Sequence, residues 1–216
     1  CPGRDRLMSA VMASGREDLA LILATGIAKA DPMFTDRLNE MSREERSSVL
    51  ANLLREKDTK VVSVALKNLL ASDIAVPVTT LKPFLKSADL EVRFAAAELL
   101  SRQKEPGAAR VLLPLMDSDE AGRVRFLKAV ALAPTEDILP VLKKLFEKDH
   151  SLEEWVPAYQ ALAVIGDTDS KKRIEDDLGA TALERRVAAT RAIGRLNGTR
   201  ALSNLHTLLF DGNALV

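Results

Sequence analysis

Apolar residues recur along this chain at three- and four-residue spacing, as in Leu139, Leu142, Leu145 and Phe146, and no segment alternates with period two. That spacing puts one apolar stripe on each of a series of amphipathic helices and predicts an all-α fold. The pattern also repeats at longer range. The run Val61 to Leu69 matches Val92 to Leu100 and Val124 to Leu132, and two further copies begin at Glu154 and Arg185. The starts 61, 92, 124, 154 and 185 differ by 31, 32, 30 and 31 residues. A period of this size marks one supersecondary unit stacked many times.

Each copy follows another helical pattern: Val49 to Arg55, Leu81 to Leu85, Val111 to Met116, Ile138 to Phe146 and Ile174 to Leu178, with Leu202 to Leu209 opening a last half-repeat. The unit is therefore helix, turn, helix. Asp58, Asp89, Asp117 to Asp119, Asp149 and Gly166-Asp167 fall between the patterns, where Asp accepts bonds from the free N–H groups of the next helix. The second helix of each unit is rich in small residues, among them Ala95 to Ala97, Ala161, Ala163, Ala188, Ala189 and Ala192, which let helices approach closely. One such pair cannot bury its apolar face alone, so neighbours stack into a shared core.

Three stretches carry a family likeness: Leu139-Pro140 with Leu142, Leu145 and Asp149; Val92-Arg93 with Ala96-Ala97; and Ala161-Leu162-Ala163 with Ile165-Gly166-Asp167. With these the layout resembles the HEAT family of α-solenoids, in particular the short HEAT-like repeats found in bilin lyases. The resemblance covers about residues 46–216 and implies an α-α superhelix of about five helix pairs plus a half-repeat. In that family a proline bends the first helix, matched here by Pro83, Pro114 and Pro140; physically, proline removes a helical hydrogen bond. The family also sets an Asp in the turn and an Arg in the next helix as a ladder between repeats. Asp89 with Arg93 and Asp119 with Arg125 match that arrangement, Arg186 keeps the Arg alone, and Val62 and Trp155 depart from it.

Residues 1–45 fall outside the period and read as two or three helices forming an N-terminal cap, with the repeat array over 46–216. Ser42 and Glu45 have the spacing of a capping box that opens the first regular repeat.

Composition narrows the function. The chain has 216 residues, 47% hydrophobic, with 31 Lys and Arg against 31 Asp and Glu, so its formal charge is zero. That argues against disorder and against nucleic acid as a partner, which ordinarily calls for a basic excess. A local surplus of five Arg over one Glu between Glu184 and Arg200 is offset by Asp169, Glu175, Asp176 and Asp177 just before it. The longest apolar stretch, Leu19 to Ala28, is half of a bilayer span. One Cys and two His leave few soft or imidazole ligands, so no metal and no cofactor is expected. The chain opens with Cys1-Pro2-Gly3, which resembles the lipidated mature end of a bacterial lipoprotein. The expectation is a lipid anchor at Cys1 in the cell envelope if that end is processed, and a cytoplasmic protein otherwise.

No catalytic constellation stands out. Deoxyhypusine hydroxylase, a relative by repeat type, binds iron through His-Glu dipeptides, whereas His150 precedes Ser151 and His206 precedes Thr207 here. HEAT-like DNA glycosylases use a basic, aromatic groove that this neutral chain with one Trp lacks. The reading is therefore a non-enzymatic scaffold, expected as a monomer, that binds another protein or peptide through its concave face. The alternative is a bilin-lyase-like or chaperone-like enzyme for a small molecule.

Counted from the copy starts, the seventh and eleventh positions face outward: Lys67 and Ala71, Glu98 and Arg102, Val130 and Pro134, Gln160 and Val164, Arg191 and Arg195. Val130, Pro134 and Val164 would form an apolar patch, with Arg191 and Arg195 bordering it for acidic groups. Trp155 and Tyr159, the sole Trp and Tyr, stand one turn apart. They read either as filling between repeats or as partner anchors, and both join Lys67, Arg102 and Gln160 in the candidate binding set.

Overall fold

The helices start where their caps are. In the computed structural model, which describes residues 36, 38, 40–72 and 74–194, α1 (Arg43–Leu53) opens on the predicted capping box. The Glu45 N–H donates to Ser42 Oγ at 3.2 Å and the Ser42 N–H donates to Glu45 Oε2 at 3.0 Å. Asp58 accepts from the Lys60 N–H at the start of α2 (Thr59–Leu70). After α3 (Val78–Leu81) and a 3-10 turn (Lys82–Lys86), Asp89 accepts from Glu91 and Val92 at the start of α4 (Leu90–Arg102). A long 3-10 segment (Ala108–Asp117) leads to Asp119, which caps α5 (Glu120–Leu132) through the Gly122 N–H. A 3-10 turn (Glu136–Ile138) runs into α6 (Leu139–Leu145), then come α7 (Leu152–Ile165), α8 (Thr168–Asp177) and α9 (Leu183–Ile193). Asp167 caps α8 by accepting from Asp169 and Ser170, while Gly166 supplies the left-handed turn at φ 67° that ends α7. All regular structure among the described residues is helical.

Proline lies in three of the first elements. Pro83 lies at the start of the 3-10 turn that follows a four-residue α3, Pro114 sits inside the 3-10 segment, and Pro140 begins α6. Inside a helical segment a proline has no N–H to give back, which suits the 3-10 winding around Pro114. Pro83 and Pro140 lie in a first turn, where no such bond is lost, and Pro157 lies inside α7. The first helices without proline, α1 and α8, are continuous α-helices.

The chain divides into two compact units, Cys1–Leu99 and Leu100–Val216. In the first, α1 packs on α2 and α3 on its following 3-10 turn, around Leu50, Leu53, Leu66, Leu69 and Leu81, all fully buried. In the second, the second-type helices lie side by side in chain order: α5 packs on α7, and α7 on α9. The 3-10 segment covers α5, and α8 packs on both α7 and α9. Stacking of neighbours in sequence order is the packing of a helical solenoid.

Caps of the second helices fall at 58, 89, 119, 151 and 182, spaced by 31, 30, 32 and 31 residues. Seven residues after each cap stand Ala65, Ala96, Phe126, Ala158 and Ala189, all fully buried; eleven after stand Leu69, Leu100, Val130, Leu162 and Ile193, which are also buried. In each unit these positions are the buried side of the second helices. Apart from Phe126 the first row is alanine, which allows close approach, and the larger side chains of the second row fill the space beside it.

Candidate functional site

The cap register decides which side chains reach solvent. Nine residues after each cap come Lys67, Glu98, Lys128, Gln160 and Arg191, and thirteen after come Ala71, Arg102, Leu132, Val164 and Arg195. Lys67, Ala71, Arg102, Lys128, Leu132, Val164 and Arg191 are exposed, and Glu98 and Gln160 half-buried. Arg195 and Cys1 lie outside the described residues. The copies in α2, α4 and α7, and Arg191 in α9, keep the register expected from sequence, with Glu98 and Gln160 only partly exposed, and the α5 copy is displaced by two residues.

Val130 is consequently not a surface residue: it is fully buried, and Pro134, half-buried, lies beyond the end of α5. The outward apolar residue of α5 is Leu132. The error has a physical source. The triplet Val124-Arg125-Phe126 repeats Val92-Arg93-Phe94, whereas the backbone N–H of Gly122 is taken by Asp119 rather than Asp117. The cap sets the helix phase, and the triplet follows it two residues late.

Leu132 and Val164 are 46% and 54% exposed, among the few large apolar side chains that remain open to solvent. They hold the same register on α5 and α7, which pack together. One turn back along the same helices stand Lys128 and Gln160, with Arg191 completing that row on α9. The exposed face of the second unit is therefore two rows: an apolar pair, and beside it a row carrying positive charge.

Trp155 and Tyr159 belong beneath this face. Trp155 is 2% exposed and Tyr159 is fully buried, so neither offers an anchor to a partner, and both fill the space between repeats. The Phe146 ring lies 5.1 Å from Trp155 and 5.4 Å from Tyr159, and His150 stands edge-on to Trp155 at 5.2 Å. Arg173 stacks on Phe146 at 4.3 Å. The Tyr159 hydroxyl donates to Asp177, whose other carboxylate oxygen accepts from Arg185 Nη2 at 2.5 Å. Burial, reinforced by the Asp177 carboxylate, pushes the Tyr159 phenol far above its ordinary value of 10.0.

A raised folded-state pKa means that the neutral phenol's contribution to stability is intact below pH 10 and fades as pH climbs past the unfolded value. Because Tyr159 is the only tyrosine, ultraviolet titration should show no phenolate signal until the helices melt. A phenolate appearing near pH 10 with helicity intact would contradict its burial.

Arginines at or near the expected ladder positions also act locally. Arg93 donates to the Ser87 carbonyl oxygen at 2.5 Å, Arg123 to that of Ser118 at 2.8 Å, and Arg186 to that of Ala180 at 2.9 Å. Arg46 reaches the Met41 carbonyl oxygen at 3.4 Å in the same way. All four stand four residues after a cap, and each guanidinium ties the turn to its own helix. In α5 the residue doing so is Arg123 rather than Arg125, the same two-residue displacement.

Arg123 also reaches into the next repeat, from Nε to Glu154 Oε1 at 2.6 Å. Glu154 is 3% exposed, receives the Ser151 N–H at 3.1 Å, and has His150 Nδ1 at 3.3 Å. Burial opposes its charge, yet the Arg123 and Ser151 hydrogen bonds, with the His150 and Arg123 charges, hold its pKa below the ordinary 4.5. It lies at one side of an open cleft of about 960 Å³ whose walls include Pro114, Met116, Val141, Lys144 and Lys148. The buried carboxylate is fully occupied in joining α5 to α7.

Among the described residues no three His, Cys, Asp or Glu side chains are grouped to hold a metal ion, and no helix is long and apolar enough to cross a membrane. None of the curated proteins compared with this chain matches it. The family model described as HEAT repeats matches residues 47–133, from within α1 to just past α5. The same cap-to-cap period runs on through α7 and α9, beyond the matched residues, which are similar to HEAT repeats.

Proposed function

We propose that this chain is a non-enzymatic scaffold that binds another protein through the exposed face of α5, α7 and α9. HEAT repeats generally mediate contacts between proteins, which supports the class of activity. The observation that carries the reading is the pair Leu132 and Val164, left open to solvent at equivalent positions of adjacent helices whose inward rows are closed. Side chains that contribute nothing to the core and stand together at the surface are suited to covering by a partner. The buried polar groups, Glu154 with Arg123 and Asp177 with Arg185, are committed to one another, so the reading assigns them to the scaffold rather than to chemistry.

Leu132→Asp with Val164→Asp tests this. Both sites are exposed, so the expected change in folding stability is within about 0.5 kcal/mol. Partner association, measured by co-purification of the tagged full chain, should fall by about tenfold or more, since an apolar contact is replaced by two buried charges. Undiminished association by a folded double variant would remove this face from the account.

A further inference from the structure

We draw no further inference here: the strongest candidate, the open cleft of about 960 Å³ between the 3-10 segment (Ala108–Asp117), α5 and α6, carries nothing, because its rim mixes Asp117, Glu120, Glu147 and Asp149 with Lys144 and Lys148 and so selects no class of ligand, while the Glu154 carboxylate at its side is already held by Arg123 and His150.

Discussion

Trp155→Ala should lower the stability of the second unit by about 3–5 kcal/mol, the range for truncating a fully buried large aromatic side chain. The indole is 2% exposed and packs against Phe146, Tyr159 and His150, so its loss leaves a cavity bordered by three rings. Marginal stability makes this a large fraction of the total. Denaturant unfolding followed by far-ultraviolet circular dichroism measures it; fluorescence cannot, because Trp155 is the only tryptophan. A second variant makes the argument sharper. Trp155→Arg restores the residue type found four positions after the caps at Ser42, Asp89, Asp119 and Ala182. It should nevertheless destabilise, because this copy has built an aromatic cluster where the others have an arginine clamp. A loss below about 1 kcal/mol for the alanine variant would mean that the indole is not part of the core.

Asp177→Ala is the other large effect, at about 2–4 kcal/mol. The Asp177 carboxylate is nearly buried and accepts from both Tyr159 and Arg185, with Arg173 Nε at 3.8 Å. Removing it strands the Tyr159 hydroxyl in the core and an Arg185 guanidinium whose Nε is already buried without a partner. Arg185 is 24% exposed and Arg173 42%, so water relieves part of the cost and holds the value below that of a dry ion pair. Asp177→Leu combined with Arg185→Leu should recover part of the loss, because the partly buried Arg185 charge is no longer left without its carboxylate, while Arg173 is open enough to water to lose little. If the double variant is as damaged as the sum of the two single ones, the pair does not act as a unit.

Both effects concern residues whose sequence neighbours give little warning of them. Trp155 and Tyr159 are one turn apart, which is equally compatible with an exposed anchor and a core filler. Phe146 on α6 and Asp177 on α8 are the partners that decide between those readings, and they come from different helices. Glu154 is similar: its place in a capping box with Ser151 is local, whereas its burial comes from Arg123 in the preceding repeat. The two-residue shift in α5 belongs to the same class, since Asp117 and Asp119 both stand where a cap is expected and only hydrogen bonding selects Asp119.

The helical class, the period near thirty-one, the prolines Pro83, Pro114 and Pro140 of the first elements, and the caps at Ser42, Asp58, Asp89 and Asp167 are legible in the chain's own pattern. These are local properties, settled within a turn or two of chain by apolar spacing, missing N–H groups and side-chain acceptors. That Val130 is buried and Leu132 exposed, that the aromatic pair is interior, and that Arg123 reaches across to Glu154 follow from the packing of helix on helix. Those depend on which helix faces which. A two-residue change of phase turns a helix by about 200°, exchanging its inner and outer faces while leaving its apolar periodicity almost unaltered.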